Sequence, residues 1–536
     1  MESSPNSLQQ ALAAYQSGNF PQAEHFCRLI LESPPDQSGI IDKALTDNPG
    51  SATTYLLTGN IFLQLGKNAE AVLCFERVLK LDPSNSGAMA NQAFALNGLK
   101  RHDDAISVCN RALILNPDCK IALMNRAVSL GCLDRHAEAL ECHDRALGID
   151  SQDASVLRNR GTTLFNLRRF DEAVLSYSMA LKINPSDPET LTSYGLALMK
   201  LGRYDEALAS YGKAIASHPT FGGAIWNDTL CRLLLGQFNF PPERLAWLWS
   251  KGYWGRKAPG LSCPVWTGKE DLRGKSILLH EDQGLGDAIQ FVRYLPWLAQ
   301  KGAVVYLGVV PPLKHLMARI PGVAQVLVSD DPCPTVDFQC ALSSLPFAFG
   351  TTVRTIPAQI PYVSVEQEAV ASWRAKLAGG DEKLVGLCWR GNPNYKDDEA
   401  RSIELSRLAS LLSVPGIRFV SLQKELTDVE LPITTLSRFV HPGTDFTSTA
   451  EIVAALDLII SVDTVWAHCA GAMGKPVWVL VPFVPYWVWS IGREDSPWYP
   501  TARLFRQSEI GNWKEVIPKV KEALDSWRAT REAGKS

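Results

Sequence analysis

Two sets of residues, one small and one mostly bulky, each recur every 34 positions along the first half of the chain. The small set is Ala71, Ala105, Ala139, Ala173 and Ala207, and the bulky set is Phe75, Cys109, His143, Tyr177 and Tyr211. Small residues let two helices approach closely, so each period predicts a pair of packed helices. Such a unit buries its apolar face only against its neighbours, which predicts a superhelix with a concave groove.

This unit resembles the tetratricopeptide repeat, a helix–turn–helix of 34 residues. Gly59, Gly161 and Gly195 stand at the close-packing site of the first helix, as the resemblance implies. We expect the array to occupy residues 1–238. A segment rich in tryptophan and proline, residues 239–275, follows as a connector that packs on the next domain, because free linkers lack such aromatic residues.

Asparagine recurs on the first helix of the units, two residues before the packing site, at Asn91, Asn125, Asn159 and Asn227. A row of amides at repeat spacing can hydrogen-bond the backbone of an extended peptide. It resembles the asparagine ladder of O-linked N-acetylglucosamine transferases. Two interpretations stay open: the asparagines hold an acceptor protein or peptide, or Asn is simply common at this repeat position.

Short apolar runs alternate with helical segments from residue 276 onward. The predicted strands are 276–280, 304–309 and 323–328 in a first sheet, and 384–389, 418–423, 458–462 and 477–481 in a second. Strands that alternate with helices predict parallel sheets. The polar segment 366–383 is interpreted as the crossing between two lobes, and we place the lobes at residues 276–378 and 379–536.

Composition excludes several classes of protein. The chain of 536 residues is 46% hydrophobic and 20% charged, as is ordinary for soluble globular proteins, and its net charge of −3 argues against nucleic-acid or anionic-membrane binding. It contains neither a run of 18 apolar residues nor a visible signal peptide. The twelve cysteines form no C-x-x-C pair, which is typical of reduced thiols. We expect a cytoplasmic protein without a membrane span.

Polar residues follow the apolar strand 458–462 directly. Asp463 and Thr464 lie at its end, and His468 lies one turn into a helix predicted over 466–473. Ligands of parallel sheets collect at the carboxyl ends of strands, and a helix N-terminus suits a diphosphate. The alternative is that Asp463 and Thr464 only cap the helix and His468 only packs.

Two further loops follow predicted strands. Gly284 and Gly286 allow close backbone approach to a ligand, and Asp287 opens a helix predicted over 288–298, where a capping role is the alternative. After strand 384–389 the chain carries three cations that suit a diphosphate or are simply solvated. These are Arg390, Lys396 and Arg401.

Segments spread over residues 276–507 together resemble glycosyltransferase family 9, the heptosyltransferases. They are 283–294, 344–351, 386–392, 401–403, 421–423, 463–468, 495–500 and 504–507. With the repeats, the chain is similar to bacterial flagellin-modifying repeat transferases. The fold so implied is multidomain: an all-α tetratricopeptide-repeat superhelix followed by an α/β GT-B domain of two Rossmann-like lobes, the first facing the acceptor and the second the donor.

The resemblance also implies roles for residues. Asp287 matches a general base of a metal-independent, inverting transfer. The donor contacts so implied are Gly284, Gly286, Arg390, Asn392, Lys396, Arg401, Gln423, Asp463, Thr464 and His468. The chain departs from the family at Tyr486 and Val488, where relatives carry an acidic residue and an arginine, and at Tyr395, where histidine is frequent.

We therefore expect a glycosyltransferase that moves a sugar from a nucleotide-sugar to a Ser or Thr hydroxyl of a protein held by the repeats. We expect no metal and no cofactor beyond that co-substrate, because no cluster has metal-ligand spacing. Two alternatives stay open. The acceptor is a saccharide or lipid carrier and the repeats form homo-oligomers, or the chain is a non-catalytic protein-binding module.

Overall fold

The structure is a computed structural model of the chain. It describes residues 10, 13–14, 17–19, 21–23, 25, 50–238, 240, 244, 261–329, 331–394, 398–424, 426–427, 430, 439–440 and 446–530. Contacts divide the chain into two compact units, Met1–Leu201 and Gly202–Ser536. The division falls inside the predicted array, and the four segment bounds given above stay predictions. Across the described ranges, no helix combines the length and apolar composition needed to cross a membrane.

The first unit is a series of helices in pairs at the predicted spacing. They are α1 (Gly50–Gln64), α2 (Asn68–Leu81), α3 (Ser86–Gly98), α4 (His102–Leu115), α5 (Lys120–Cys132), α6 (His136–Ile149), α7 (Ala154–Asn166), α8 (Phe170–Ile183) and α9 (Pro188–Lys200). Corresponding helices from α3 onward start 34 residues apart, and the repeated alanines of α2, α4, α6 and α8 are fully buried. The predicted all-helical repeat superhelix is confirmed.

The residue at the close-packing site of the first helix is smaller where its partner on the second helix is larger. A Cβ added to Gly59 would lie 2.6 Å from the Phe75 ring, and one added to Gly161 would lie 2.6 Å from the Tyr177 ring. In the pairs between them an alanine such as Ala93 takes the same site, because the bulky position there holds Cys or His. Close packing therefore explains which copies need glycine.

The turn between paired helices requires a left-handed backbone. Gly66 occupies it with φ 71°, whereas Lys100, Asp134 and Arg168 occupy the same repeat position with φ 60°, 57° and 59°. The left-handed conformation costs a residue with a side chain about 1–2 kcal/mol. Glycine avoids this cost, but it loses more backbone entropy on folding, so the net gain from glycine is smaller.

Lys100→Gly is therefore expected to raise the free energy of unfolding by about 0.5–1 kcal/mol, measured by urea unfolding. Gly66→Ala is the matched control, because nothing lies within 4 Å of its added Cβ and only the backbone conformation is changed. It should lower stability by a similar amount. A Lys100→Gly variant that is less stable than the parent would contradict the argument.

The second unit begins with two helices and continues into two parallel sheets. The first sheet holds β1 (Ser276–His280), β2 (Val304–Gly308), β3 (Val323–Leu327) and β4 (Phe338–Ala341), in the order β3-β2-β1-β4. The second holds β5 (Lys383–Cys388), β6 (Ile417–Ser421), β7 (Phe439–Val440), β8 (Leu458–Val462), β9 (Val477–Val481) and β10 (Ala502–Arg506), in the order β10-β9-β8-β5-β6-β7. Each of these ladders is parallel, which confirms the predicted α/β class.

The helices of the second unit lie before, between and after its strands. They are α10 (Tyr204–Ser217), α11 (Gly222–Leu234), α12 (Leu285–Phe291), α13 (Leu295–Gln300), α14 (Lys314–Met317), α15 (Leu345–Ala348), α16 (Gln367–Leu377), α17 (Asp398–Arg401), α18 (Ala409–Leu412), α19 (Phe446–Ala455), α20 (Val465–Ala472) and α21 (Val516–Thr530). The helix predicted over 288–298 is in fact α12 and α13, joined by a 3₁₀ turn, Val292–Tyr294. Pro296 explains the break, because its ring cannot continue the hydrogen bonding of a helix interior.

Candidate functional site

The loops that follow β1 and β8 bring α12 and α20 together. Gly286, in the first turn of α12, faces His468 of α20: an added Cβ would lie 2.7 Å from the imidazole Cδ2 and 3.3 Å from its Nε2. His468 is 4% exposed. His468 therefore packs closely against Gly286, and the contact of Gly286 with a ligand stays a prediction. At Gly284 the added Cβ would lie in ordinary contact, 3.5 Å from Asp287 Oδ2.

Asp287 makes two hydrogen bonds at this meeting point. Its Oδ2 accepts from the Gly284 backbone N–H at 3.2 Å, and its Oδ1 accepts from the Tyr486 hydroxyl at 2.9 Å. The first bond is the capping contact that the sequence offers as an alternative role. The second comes from Tyr486, a position at which the sequence differs from the family it resembles, and the sequence did not predict this bond.

Buried charges surround Asp287. Burial raises the pKa of this carboxyl above its usual range, while the neighbouring His468 charge and the Tyr486 hydrogen bond oppose that rise. Burial also raises the pKa of Tyr486 far above the usual value. The phenol therefore stays protonated and donates a hydrogen bond to Asp287. Asp287 is therefore more basic, once ionised, than an exposed aspartate.

Asp463 and His468 form a buried pair at the N-terminus of α20. His468 Nε2 lies 3.7 Å from Asp463 Oδ1, and His468 Nδ1 lies 3.0 Å from the Tyr499 hydroxyl. Burial alone would raise the pKa of Asp463, but the hydrogen bond and charge of His468, with the charge of Arg401, hold it below the usual value. The carboxylate is therefore stabilised in its charged form.

Thr464 is the residue before α20, but its side chain makes no capping hydrogen bond. Its Oγ1 instead pairs with the Ser461 hydroxyl at 2.9 Å and donates to the Cys388 sulfur at 3.7 Å. The predicted side-chain cap is therefore wrong. The reason is that tertiary partners at the ends of β8 and β5 engage the hydroxyl.

Both described cations after β5 have acidic partners. Arg390 Nη2 lies 3.1 Å from Glu430 Oε2, and Gln423 accepts from the Arg390 backbone N–H and donates to its carbonyl oxygen. Arg401 donates to Asp398 at 2.8 Å and to the Asp463 carbonyl oxygen at 2.7 Å. These contacts fix the loop after β5 against the ends of β6 and β8.

Asn392 lies in the same loop. Asn392 is exposed, and its Oδ1 accepts from the Asn394 backbone N–H at 3.0 Å. Lys396 and Tyr395 lie outside the described residues. Within the described ranges, no group of three or more His, Cys, Asp or Glu side chains is placed to hold a metal ion.

Asp282, which sequence reasoning missed, lies in the loop after β1. It is 2% exposed, and it accepts hydrogen bonds from the backbone N–H and the hydroxyl of Ser343, which follows β4. Burial raises its pKa to about 7. The signal in the sequence was a pair of acidic residues, Glu281 and Asp282, directly after an apolar strand.

Asp282 gives a pH-dependent stability prediction. Its pKa is about 7 in the folded protein against 3.8 in the unfolded chain, so the folded state binds the extra proton and stability falls as the pH rises between these values. Relative to Asp282→Asn, the wild type should lose on the order of 1 kcal/mol per pH unit from about pH 4 to 7, and nothing more above it. Urea unfolding of both proteins across this range tests the prediction, and a constant difference would contradict it.

In the repeats, two of the predicted ladder amides bond to neighbouring helices. Asn125 on α5 is 7% exposed, and its Nδ2 donates to the Ala90 carbonyl oxygen of α3 at 2.8 Å. Asn91 on α3 donates to Asn60 Oδ1 of α1 at 2.8 Å. Packing between repeats therefore uses one N–H of the Asn125 amide, and its contact with an acceptor protein stays a prediction.

The other two asparagines differ from this pair. Asn159 of α7 is half-buried in the first unit. Asn227 of α11 is half-buried in the second unit. A continuous row of four available amides is thus not observed within one unit.

Comparisons with known proteins bear on the repeats. Residues 56–119 and 126–188, and separately 188–221, match the tetratricopeptide repeat. The chain is 26% identical over 306 residues to Protein FlbA of Caulobacter vibrioides, a match that covers 51% of this chain and spans about half (50%) of that relative's length.

Two solved structures are similar to part of the chain, each with a low TM-score. A tetratricopeptide repeat protein from Parabacteroides merdae is 17% identical with a TM-score of 0.38, covering 46% of this chain and 90% of that one. The MamA protein is 22% identical with a TM-score of 0.29, covering 33% and 93%. The family matches show that residues 56–119 and 126–221 are similar to tetratricopeptide repeats.

Proposed function

We propose that the chain is a cytosolic glycosyltransferase that moves a sugar from a nucleotide-sugar to a Ser or Thr hydroxyl of a protein held by the repeats. One observation carries the proposal. The carboxyl ends of β1 and β8, from two different parallel sheets, bring a half-buried acid, Asp287, to the Asp463–His468 pair. Ligands of parallel sheets bind at this kind of edge.

The chemistry requires a base, because an alcohol is a weak nucleophile at neutral pH. Asp287 accepts the hydroxyl proton as the sugar is transferred, and its raised pKa improves the acceptance of that proton. The leaving diphosphate lies at the N-terminus of α20, where backbone N–H groups and the helix dipole stabilise negative charge. Arg390 and Arg401 supply positive charge nearby, and no metal ion is needed.

The acceptor that the family resemblance suggests is flagellin. The test is incubation of the full-length protein with flagellin and a panel of nucleotide-sugars, read as intact mass and as donor affinity by calorimetry. We expect one donor to bind and to add the mass of its sugar. Asp463→Ala and His468→Ala should weaken donor binding in folded protein, and unchanged affinity in both would remove these residues from the donor site.

A non-catalytic binding module is the second candidate. It is favoured by the hydrogen bonds from Gly284 and Tyr486, which engage both oxygens of Asp287. Tight nucleotide binding without transfer to flagellin, saccharide or lipid-carrier acceptors would select this candidate. Transfer to a saccharide or lipid carrier alone would instead assign the repeats to oligomerisation.

A further inference from the structure

A buried arginine joins the two lobes of the second unit. Arg293, in the turn after α12, is 3% exposed. Its guanidinium donates to the carbonyl oxygens of Gln290, Pro357 and Trp498 at 2.8, 3.2 and 2.5 Å, and to the Tyr362 hydroxyl at 2.8 Å. A buried cation is tolerated when such oxygens replace its water.

Tyr499 lies between Arg293 and the candidate site. The Tyr499 hydroxyl lies 3.0 Å from His468 Nδ1, and His468 Nε2 lies 3.7 Å from Asp463 Oδ1. The rings are fixed as well, since the Arg293 guanidinium lies over Tyr362 and Tyr499 at 4.8 and 4.7 Å.

The Asp463 carboxylate selects between the two neutral tautomers of His468. A carboxylate can only accept, so the neutral imidazole carries its proton on Nε2, towards Asp463. Its Nδ1 then accepts a hydrogen bond from the Tyr499 hydroxyl. In the imidazolium both nitrogens donate, and Nε2–H still faces Asp463. The opposite neutral tautomer would place a lone pair against the Asp463 carboxylate.

We propose that Tyr499, whose ring lies against the Arg293 guanidinium, is a positioning residue that fixes the orientation of His468, with its Nε2 proton directed at Asp463. His468 is then presented in one orientation to both carboxylates of the site, Asp463 of the second lobe and Asp287 of the first. The effect on donor binding rests on the proposed glycosyltransferase function. The orientation of the imidazole does not.

The test uses full-length protein with ¹⁵N-labelled histidine, and the His468 signal is assigned with His468→Gln. We expect the wild type to show the Nε2–H tautomer, and Tyr499→Phe, which removes one hydroxyl and keeps the ring, to show a mixture of states. Tyr294→Phe is the matched control. It removes another buried hydroxyl, which is hydrogen-bonded to Thr351 at 2.9 Å and not to His468. It should leave the His468 signal unchanged.

Donor affinity gives a second readout. We expect Tyr499→Phe to bind the nucleotide-sugar about 5–10-fold more weakly, and Tyr294→Phe to bind it as the wild type does. An Nδ1–H tautomer in the wild type, or an unchanged signal in Tyr499→Phe, overturns the inference. The expected tautomers without any nucleotide-sugar binding would refute the proposed function and leave the inference standing.

Discussion

Asp287→Asn is expected to lower the rate of sugar transfer about 10²–10⁴-fold while donor affinity stays near that of the wild type. The amide cannot accept the proton of the acceptor hydroxyl. It keeps one acceptor oxygen, and Asn caps helices about as well as Asp, so the contact with Gly284 and the start of α12 should persist. Rates at saturating donor, with calorimetry on the same samples, measure both quantities.

Asp495→Asn is the control for a carboxylate that serves only the surface, since Asp495 is exposed and paired with Arg493 at 2.7 Å. It should transfer as the wild type does. Because burial raises the pKa of Asp287, the wild-type rate should also begin to fall with acidification above the usual aspartate range. Wild-type transfer by Asp287→Asn would assign Asp287 to capping alone.

Gly286→Ala is expected to cost about 1–3 kcal/mol of stability and to lower donor affinity. The added methyl group would lie 2.7 Å from His468 Cδ2, and that ring cannot retreat easily, because Tyr499 and Asp463 engage its two nitrogens. Relief of the overlap therefore requires α12 and α20 to separate. Urea unfolding and donor calorimetry are the measurements.

Gly284→Ala distinguishes packing of Gly286 against His468 from close approach of a ligand to both glycines, as the sequence suggested. Gly284 lies two residues away in the same loop with φ −102°, and its added Cβ would meet only Asp287 Oδ2, at 3.5 Å. We expect nearly wild-type stability and affinity. If Gly284→Ala weakens donor binding as much as Gly286→Ala does, close approach of the ligand to the loop is the better explanation of both glycines.

Regular spacing made the repeats predictable. The buried alanines lie 34 residues apart, so position in sequence fixes position in the array. Fully apolar strands were equally clear, and Leu458–Val462 and Val477–Val481 appear with the predicted bounds. The strands β4 and β10 escaped prediction because Gln339 and Arg503 interrupt short apolar runs, although parallel pairing with β1 and β9 stabilises them.

The site depended on contacts that no local pattern contains. Tyr486 reaches Asp287 across 199 positions of sequence, and only the tertiary fold brings them together. Thr464 has the residue type and position of a helix cap, yet Ser461 and Cys388 engage its hydroxyl. The local sequence located these residues at the ends of strands but could not choose their partners.

The central claim is that the protein glycosylates an acceptor protein with Asp287 as the general base. Intact-mass analysis of flagellin tests this claim most directly. Flagellin is compared from cells with the wild-type gene, cells without it, and cells with Asp287→Asn at equal protein levels. The account predicts flagellin heavier by whole sugar residues in the first cells and unmodified flagellin in the other two. The same flagellin mass in all three would contradict it.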